Sequence, residues 1–377
     1  MPGKRPSVGH GFSNVSIIGT GLMGGSLALA LMSNESVLHL AVYDSSAETR
    51  VLARRMGVGH RVAESAGESA TGCDLLILAT PLGSMVQVFS EVAGKLSAGA
   101  VVTDIGSAKM KLTNAIEEIA PPGIHYVGGH PMAGSEQSGV ESARADLYRD
   151  CYYILTPTRN TDVGAFRRLH ALLGELGSRV ISMDPESHDR AMATISHVPH
   201  LLSLLLMDMA SRQREKMKNL FTISAGGFRD MTRIAASSPE LWIDVCMENR
   251  EFIVDRLLEY GIGITELAQI LDTGDRDKLR KKFERARRAR AELSIRAGAE
   301  IEELYEVYLP VPDEPGVISR ISTAVGALGV NIEDIGITHP LEGETGILTL
   351  RILGESSALM VAGELQSMGY NAGRRKA

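Results

Sequence analysis

The sequence predicts an α/β protein: a doubly wound parallel sheet, then an all-helical region, then a small α+β module. Three observations carry this. Through the first half, short and almost continuously apolar runs alternate with helix-length segments, the pattern of strands buried on both faces. From Asp184 the strand signal stops and long helical patterns take over. Near Glu302 the pattern resets to strand, helix, strand, strand, helix.

The strands expected in the first part lie at 15–19, 38–44, 74–80, 100–106 and 125–130, the last reading "HYVGGH". Crossover helices fit between them. "CYYILTPT" and "SRVISM" read as two more strands flanking the helix "DVGAFRRLHALLGEL". The first domain therefore runs over 13–183. A helical domain follows at 184–298, built from "PESHDRAMATISHVPHLLSLLLMDMASRQ", "SPELWIDVCMENREFIVDRLLEYGIGITELAQIL" and a charged stretch. Such apolar helices cannot bury themselves singly, so packing against a second copy, a homodimer, is expected. Asp275 to Arg290 holds nine Lys or Arg against three acidic residues and reads as a solvated helix face. Residues 303–373 fit the ferredoxin-like split β-α-β motif, closed by a short last strand.

Composition narrows the partners. Of 377 residues 44% are hydrophobic and 23% charged, which suits a soluble protein of two or three domains. A net charge of -7 argues against nucleic acid or an anionic membrane as partner. The three cysteines, Cys73, Cys151 and Cys246, have no C-x-x-C spacing, so neither a disulfide framework nor a zinc site is expected. No apolar signal core or membrane-length run is present, and a cytoplasmic location is expected.

"IIGTGLMGGS" carries Gly19, Gly21 and Gly24 in G-x-G-x-x-G spacing, straight after a strand and opening a helix at Leu22 and Met23. The first glycine makes the turn, the second lets a pyrophosphate approach the backbone, and the third lets helix and strand pack closely. Asp44 ends the next strand 20 residues after Gly24, where a carboxylate can hold both ribose hydroxyls. That favours NAD; Arg50 and Arg54 leave NADP as the alternative. Thr80 and Pro81, ending "DLLILATP", fall where the ribose and nicotinamide half would pass. This is a Rossmann-type site.

Polar residues concentrate at four further strand ends or helix starts. "TDIGSAK" places Ser107, and "GGHPMAGSEQSG" places His130 with Ser135 and Glu136 behind it. "ISHVPH" brings His197 and His200 onto one helical face, and "GGFRDMTRIA" offers Arg229, Asp230 and Arg233, with Trp242 nine residues on. The histidine pair lacks the spacing of a metal motif, and no metal is expected.

Together, "GTGLMGGSLA", "DIGSAK", "GGHPMAGSEQSG", "SHVPH" and "GGFRDMTRIA" followed by Trp242 resemble the prephenate dehydrogenase family of tyrosine biosynthesis, over roughly residues 13 to 296. The tail, with "LPVPDEPGVISRISTAVGALGVNIEDIGI", resembles an ACT domain, a regulatory module that often binds amino acids. The resemblance implies oxidative decarboxylation of prephenate to 4-hydroxyphenylpyruvate, with NAD taking the hydride. It implies His130 as base or hydrogen-bond acceptor for the ring hydroxyl, with Ser107 bonding both that hydroxyl and the histidine. Arg233 matches the arginine that binds a substrate carboxylate, and His200 the histidine near the substrate side chain. Ser135, Glu136, Asp230 and Trp242 fall on active-site positions, while His197 reads as a supporting partner. Arg229 stands where the family often has lysine, and Ala225 where it often has glycine. Asp313, Pro315, Gly316 and Asn331 lie where such tails bind an amino acid, which makes tyrosine, or phenylalanine, the expected effector. Three alternatives stand beside this reading: arogenate as substrate, a β-hydroxyacid dehydrogenase using Lys109, and a non-catalytic sensor.

Overall fold

Asn14–Ile18 (β1) occupies the middle of a six-stranded, all-parallel sheet. The computed structural model describes residues 10–33, 37–133, 137–296, 304–312, 314–338 and 345–376. After β1 come α1 (Leu22–Met32), β2 (His39–Tyr43), α2 (Ala47–Met56), β3 (Arg61–Val62), α3 (Ala66–Ala70) and β4 (Leu75–Leu78). They continue with α4 (Met85–Val92), β5 (Val101–Asp104), α5 (Met110–Ile119) and β6 (His125–Tyr126). The strand order β3-β2-β1-β4-β5-β6 reverses direction between β1 and β4, which opens a crevice at their carboxyl ends.

The unbroken apolar runs have a simple cause. Val15, Ile17, Leu75, Ile77 and Val101 join a core with Leu27 and Leu31 of α1. Their neighbours Ile18, Leu76, Leu78 and Val102 point to the other face, onto Phe89 of α4 and Leu112 and Ile116 of α5. With both faces covered, a polar residue has no outward face to occupy.

"HYVGGH" departs from the single strand expected. The chain leaves the sheet at Val127, and Gly128–Pro131 (β7) starts a second sheet, β7-β8-β9, with β8 (Tyr152–Thr156) antiparallel to it and β9 (Arg179–Ser182) parallel to β8. The helix α6 (Val163–Glu175) joins β8 to β9. The glycine pair is what permits the step. Neither glycine has positive φ. A Cβ on Gly128 would sit 2.4 Å from Thr156 Oγ1, and one on Gly129 would sit 2.6 Å from the carbonyl oxygen of Asp104. Gly128 is closed in by a side chain of its own sheet and Gly129 by the main chain at the end of β5, so a side chain fits at neither position.

Next come α7 (Pro185–Met192), a π-helical turn at Ala193–His197, α8 (Val198–Arg214), α9 (Gly226–Thr232), α10 (Pro239–Glu248) and α11 (Arg250–Asp272). Asp184 caps α7 by accepting from Ser187 N at 2.9 Å, with Pro185 preset for the first turn. Polar ties join α10 to α5 and to the turn after β4. Lys111 Nζ donates to Met247 O (2.9 Å), and Gly83 N donates to Asp244 Oδ2 (3.2 Å).

The chain divides into two compact units, Met1–Ile264 and Thr265–Ala377. The division falls inside α11, within the stretch read from the sequence as one helical domain. Only Ile253 of α11 is buried. The second unit holds α12 (Arg276–Arg296), β10 (Leu304–Pro312), α13 (Val317–Ala327), β11 (Asp334–Thr338), β12 (Thr345–Leu353), α14 (Glu355–Ser367) and β13 (Gly373–Lys376). Its four strands pair antiparallel in the order β11-β12-β10-β13. Val307, Leu309, Leu348 and Leu350 pack there on Ile321 and Val325 of α13 and Val361 and Leu365 of α14. Among the described residues no helix is long and apolar enough to cross a membrane.

Candidate active site

The crevice at the ends of β1 and β4 is shaped by its glycines. Gly19 has φ +101°, and a Cβ there would meet the carbonyl oxygen of Ala79 at 2.4 Å. A Cβ on Gly24 would lie 2.0 Å from Gly19 O. Gly21 differs: nothing lies within 4 Å of where its Cβ would be. No side chain caps α1 at this residue, so the first-turn N–H groups of Leu22 and Met23 face a space that suits an anion. Met23 is anchored from behind, its carbonyl accepting from Tyr148 OH at 2.8 Å.

Asp44 follows β2 directly, accepting from Thr20 N and Ser46 N, both at 2.9 Å. Arg50 donates to the carbonyls of Asp44 (2.8 Å) and Ser45 (3.1 Å), and both Arg50 and Arg54 pair with Glu64. The two arginines that could have recognised a 2′-phosphate are thus committed to an acid. Across the crevice Pro81 opens a 3-10 turn at Leu82–Ser84, its carbonyl accepting from Ser84 Oγ (2.8 Å), with Thr80 half-buried before it. These features fit a dinucleotide with free ribose hydroxyls.

His130 sits on β7 and is 9% exposed. Its Nδ1 lies 2.7 Å from His188 Nε2, and His188 Nδ1 lies 2.7 Å from Asp189 Oδ1. Asp189 in turn accepts the main-chain N–H of Lys109 (2.7 Å) and of Met110 (2.8 Å). Asn249 Nδ2 reaches both Asp189 O (2.8 Å) and His197 Nδ1 (3.0 Å). Burial, and after it the charges of His188, Lys109 and His197, hold His130 well below the ordinary histidine range. Burial also lowers His188, against the pull of Asp189, and brings His197 down to about 4. The site is a set of neutral imidazoles.

Beneath them lies a sealed ion pair. Lys109 and Asp104 are both fully buried and bonded to each other, and Lys109 Nζ also donates to Gly129 O at 2.8 Å. Asp104 further accepts from Tyr126 OH (2.6 Å), Gly106 N (2.7 Å) and Gly129 N (3.3 Å). The residue before His130 is therefore gripped at both its N–H and its carbonyl.

The nucleotide-binding domain of prephenate dehydrogenase matches residues 27–182, and the dimerization domain of prephenate dehydrogenase matches 184–285. Prephenate dehydrogenase of Bacillus subtilis is 34% identical over 337 residues, 89% of this chain and 91% of that protein. The chain belongs to the prephenate dehydrogenase family. Cyclohexadienyl dehydrogenase of Zymomonas mobilis is 32% identical over 283 residues, 75% of this chain and 96% of its own. Among solved structures, prephenate dehydrogenase from A. aeolicus in complex with hydroxyphenyl propionate and NAD+ superposes with a TM-score of 0.70 at 31% identity, covering 74% of this chain and 98% of that one.

The residues that the family resemblance singled out lie as follows. His200 and Trp242 meet as stacked rings, centroids 3.5 Å apart and planes 15° apart, while His197 meets Trp242 edge-on at 6.1 Å. The π-helical turn before α8 carries His197 into the interior, where it is fully buried. Arg229, Asp230 and Arg233 are exposed, on α9 and the 3-10 turn after it. Ser107 is half-buried beyond β5, but no hydrogen bond joins it to His130 among the described residues. The hydrogen bond of His130 to His188 uses Nδ1 and leaves Nε2 open to other partners. Ser135, Glu136 and Asp313 lie outside the described residues. In the second unit Gly316 (φ +90°) starts α13 after Pro315, and Asn331 Nδ2 donates to Glu333 at 2.7 Å. Sequence reading missed His188, Asp189, Asp104 and Asn249, and weighed Lys109 only as the catalytic lysine of the β-hydroxyacid dehydrogenase alternative. The one signal available was "SHDRA" just after a capped helix start, a His-Asp pair on a polar turn.

Proposed function

We propose that this chain catalyses the NAD-dependent oxidative decarboxylation of prephenate to 4-hydroxyphenylpyruvate, with His130 as the acceptor of the ring hydroxyl proton. The observation that carries it is the ring of His130, neutral and held through Nδ1, which leaves Nε2 for a substrate. When bound, NAD supplies the hydride acceptor. Gly19, Gly21, Gly24, Leu22 and Met23 hold its pyrophosphate, Asp44 its ribose, and Thr80 and Pro81 flank its nicotinamide half.

Prephenate gives up hydrogen from the ring carbon that bears the hydroxyl. As that bond breaks the oxygen gains carbonyl character, and His130 Nε2 takes its proton, a contribution typically worth ~10²–10⁴-fold. Loss of CO2 from the opposite ring carbon restores aromaticity, and the oxygen recovers the proton from His130. Atoms and charge then balance: prephenate and NAD+ become 4-hydroxyphenylpyruvate, CO2 and NADH. Ser107 donates to or accepts from the same hydroxyl. Arg233 anchors a carboxylate with its planar fork, Arg229 adds positive charge, and His200, steadied on Trp242, lines the side-chain end. Ser135 and Glu136 complete the substrate site.

The helical region works as a homodimer interface. Leu205 of α8, Ile243 of α10 and Leu258 of α11 are each more than half exposed in one chain, an apolar surface that a second copy covers. The antiparallel module acts as an ACT-like regulatory domain that binds tyrosine through Asp313, Pro315, Gly316 and Asn331. Its β-α-β-β-α-β order supports this reading.

The test is NADH formation with prephenate and with arogenate, each with NAD and NADP, with and without tyrosine. Strong NAD-dependent turnover of prephenate is expected. Turnover of arogenate alone would reassign the substrate, and silence on both would overturn the reading. Equal tyrosine inhibition of the full chain and of a chain ending near Ile301 would remove the C-terminal module from the account. A monomeric mass by sedimentation would remove the dimer.

A further inference from the structure

Two imidazoles and a carboxylate stand in line: Asp189 Oδ1, His188 Nδ1, His188 Nε2, His130 Nδ1, with both gaps 2.7 Å. A ring nitrogen at such a distance from another must have the proton on one of the two, so each contact has a direction. We propose that His188 and Asp189 are positioning residues that fix the tautomer of His130, forcing its one proton onto Nδ1 and its lone pair onto Nε2. This rests on the reading of His130 as the proton acceptor and adds how it is made one.

The direction follows from the end of the line. An ionised carboxylate only accepts hydrogen bonds, so His188 must present Nδ1–H to Asp189. Neutral His188 then has a bare Nε2. That nitrogen can only accept, so His130 must donate from Nδ1, and neutral His130 is left with a bare Nε2. Asp189 is in no position to reverse the order. Oδ1 also takes the N–H of Lys109 and Oδ2 that of Met110, so both oxygens face donors, as suits an ionised acid. Its own main-chain carbonyl is tied to Asn249 Nδ2 at 2.8 Å. The anchor is thus carried by the first turn leading into α5, by α7 and by the residue between α10 and α11.

The arrangement also helps once His130 has taken a proton at Nε2. Its Nδ1–H still has the His188 acceptor, and the positive charge lies two hydrogen bonds from a carboxylate. The ring edges meet at 68°, with centroids 5.0 Å apart, so the contact is made in the ring plane and not by stacking. Left to itself an imidazole has no reason to hold Nδ1–H, and a substrate facing Nε2–H would find a donor where it needs an acceptor.

The full-length chain labelled with 15N-histidine, with NAD bound, reads the tautomers directly by long-range proton–nitrogen correlation, and the missing signals of His130→Asn and His188→Gln assign the two rings. The expected spectrum has His130 and His188 each protonated at Nδ1 and bare at Nε2. Two replacements then separate acceptor from packing. His188→Gln keeps a carbonyl to accept from His130 and an amide to face Asp189, and should hold kcat within about 10-fold of the parent. His188→Met fills similar volume with no such acceptor, and should lower kcat by about 100-fold while NAD affinity stays within about 3-fold. Proton density on Nε2 of His130 in the parent, or a doubly protonated His188, overturns the proposal. Equal kcat losses in the Gln and Met variants would also overturn it. Should the Met variant not fold, the parent spectrum and the Gln variant still decide. The spectrum needs no turnover, so a chain inactive on prephenate but with the expected tautomers would sink the substrate reading and not this one.

Discussion

Lys109 and Asp104 form an ion pair from which solvent is wholly excluded, and the lysine's third role is to hold the carbonyl of Gly129, the residue before His130. A buried pair of this kind is costly to form and more costly to break, because the surviving charge has nowhere to go. Lys109→Met should destabilise the first unit by about 3–5 kcal/mol, seen as a lowered denaturant midpoint. A change below ~1 kcal/mol would mean that the remaining donors to Asp104 suffice alone.

The glycines of the first turn should respond differently to the same methyl group. Gly24→Ala drives a Cβ to 2.0 Å from Gly19 O, so both stability and NAD binding should fail. Gly21→Ala has open space and should fold normally. Its defect should appear in NAD titration, where the methyl occupies the approach of the pyrophosphate. Equal behaviour of the two in calorimetry would contradict this division.

His130→Asn should lower turnover by ~10²-fold or more with NAD binding intact. Near-parental turnover would make the histidine structural.

Arg233→Ala should raise the KM for prephenate by about 10-fold or more, as expected for the loss of a charge-assisted contact, and affect kcat less. An unchanged KM would move the anchor to Arg229.

Acid should unfold the first unit through its histidines. His197 binds its proton at about 4 in the fold, against 6.5 outside it, because burial disfavours the charged form. Between those values the unfolded chain holds more protons, so stability falls as pH falls. Above about 6.5 His197 contributes no slope, and below about 4 its contribution is complete, at about 3 kcal/mol. His130 and His188, lowered for the same reason, steepen the loss. Urea unfolding at pH 7, 5.5 and 4.5 measures it, and a flat result would show that these rings are hydrated.

The parallel sheet, its helices and the dinucleotide turn were legible in the sequence because each rests on local chemistry. Almost continuously apolar runs signal strands covered on both faces, and G-x-G-x-x-G straight after a strand signals the turn. The step between β6 and β7 was not legible. "HYVGGH" is a single extended run by pattern, and the break at Val127 follows from how closely Gly128 and Gly129 approach Thr156 and Asp104, contacts made at 28 and 25 residues' remove.

By itself the sequence determined which residues could do chemistry here: a histidine beyond a strand, arginines for carboxylates, glycines for phosphates. Side-chain type and local spacing carry that information. What surrounds His130 was decided only in three dimensions. His188 and Asp189 lie 58 and 59 residues further on and Asn249 119 residues on, with nothing in their local pattern to link them. A buried polar group must find its partner wherever the fold brings one, and that requirement acts through space and not along the chain.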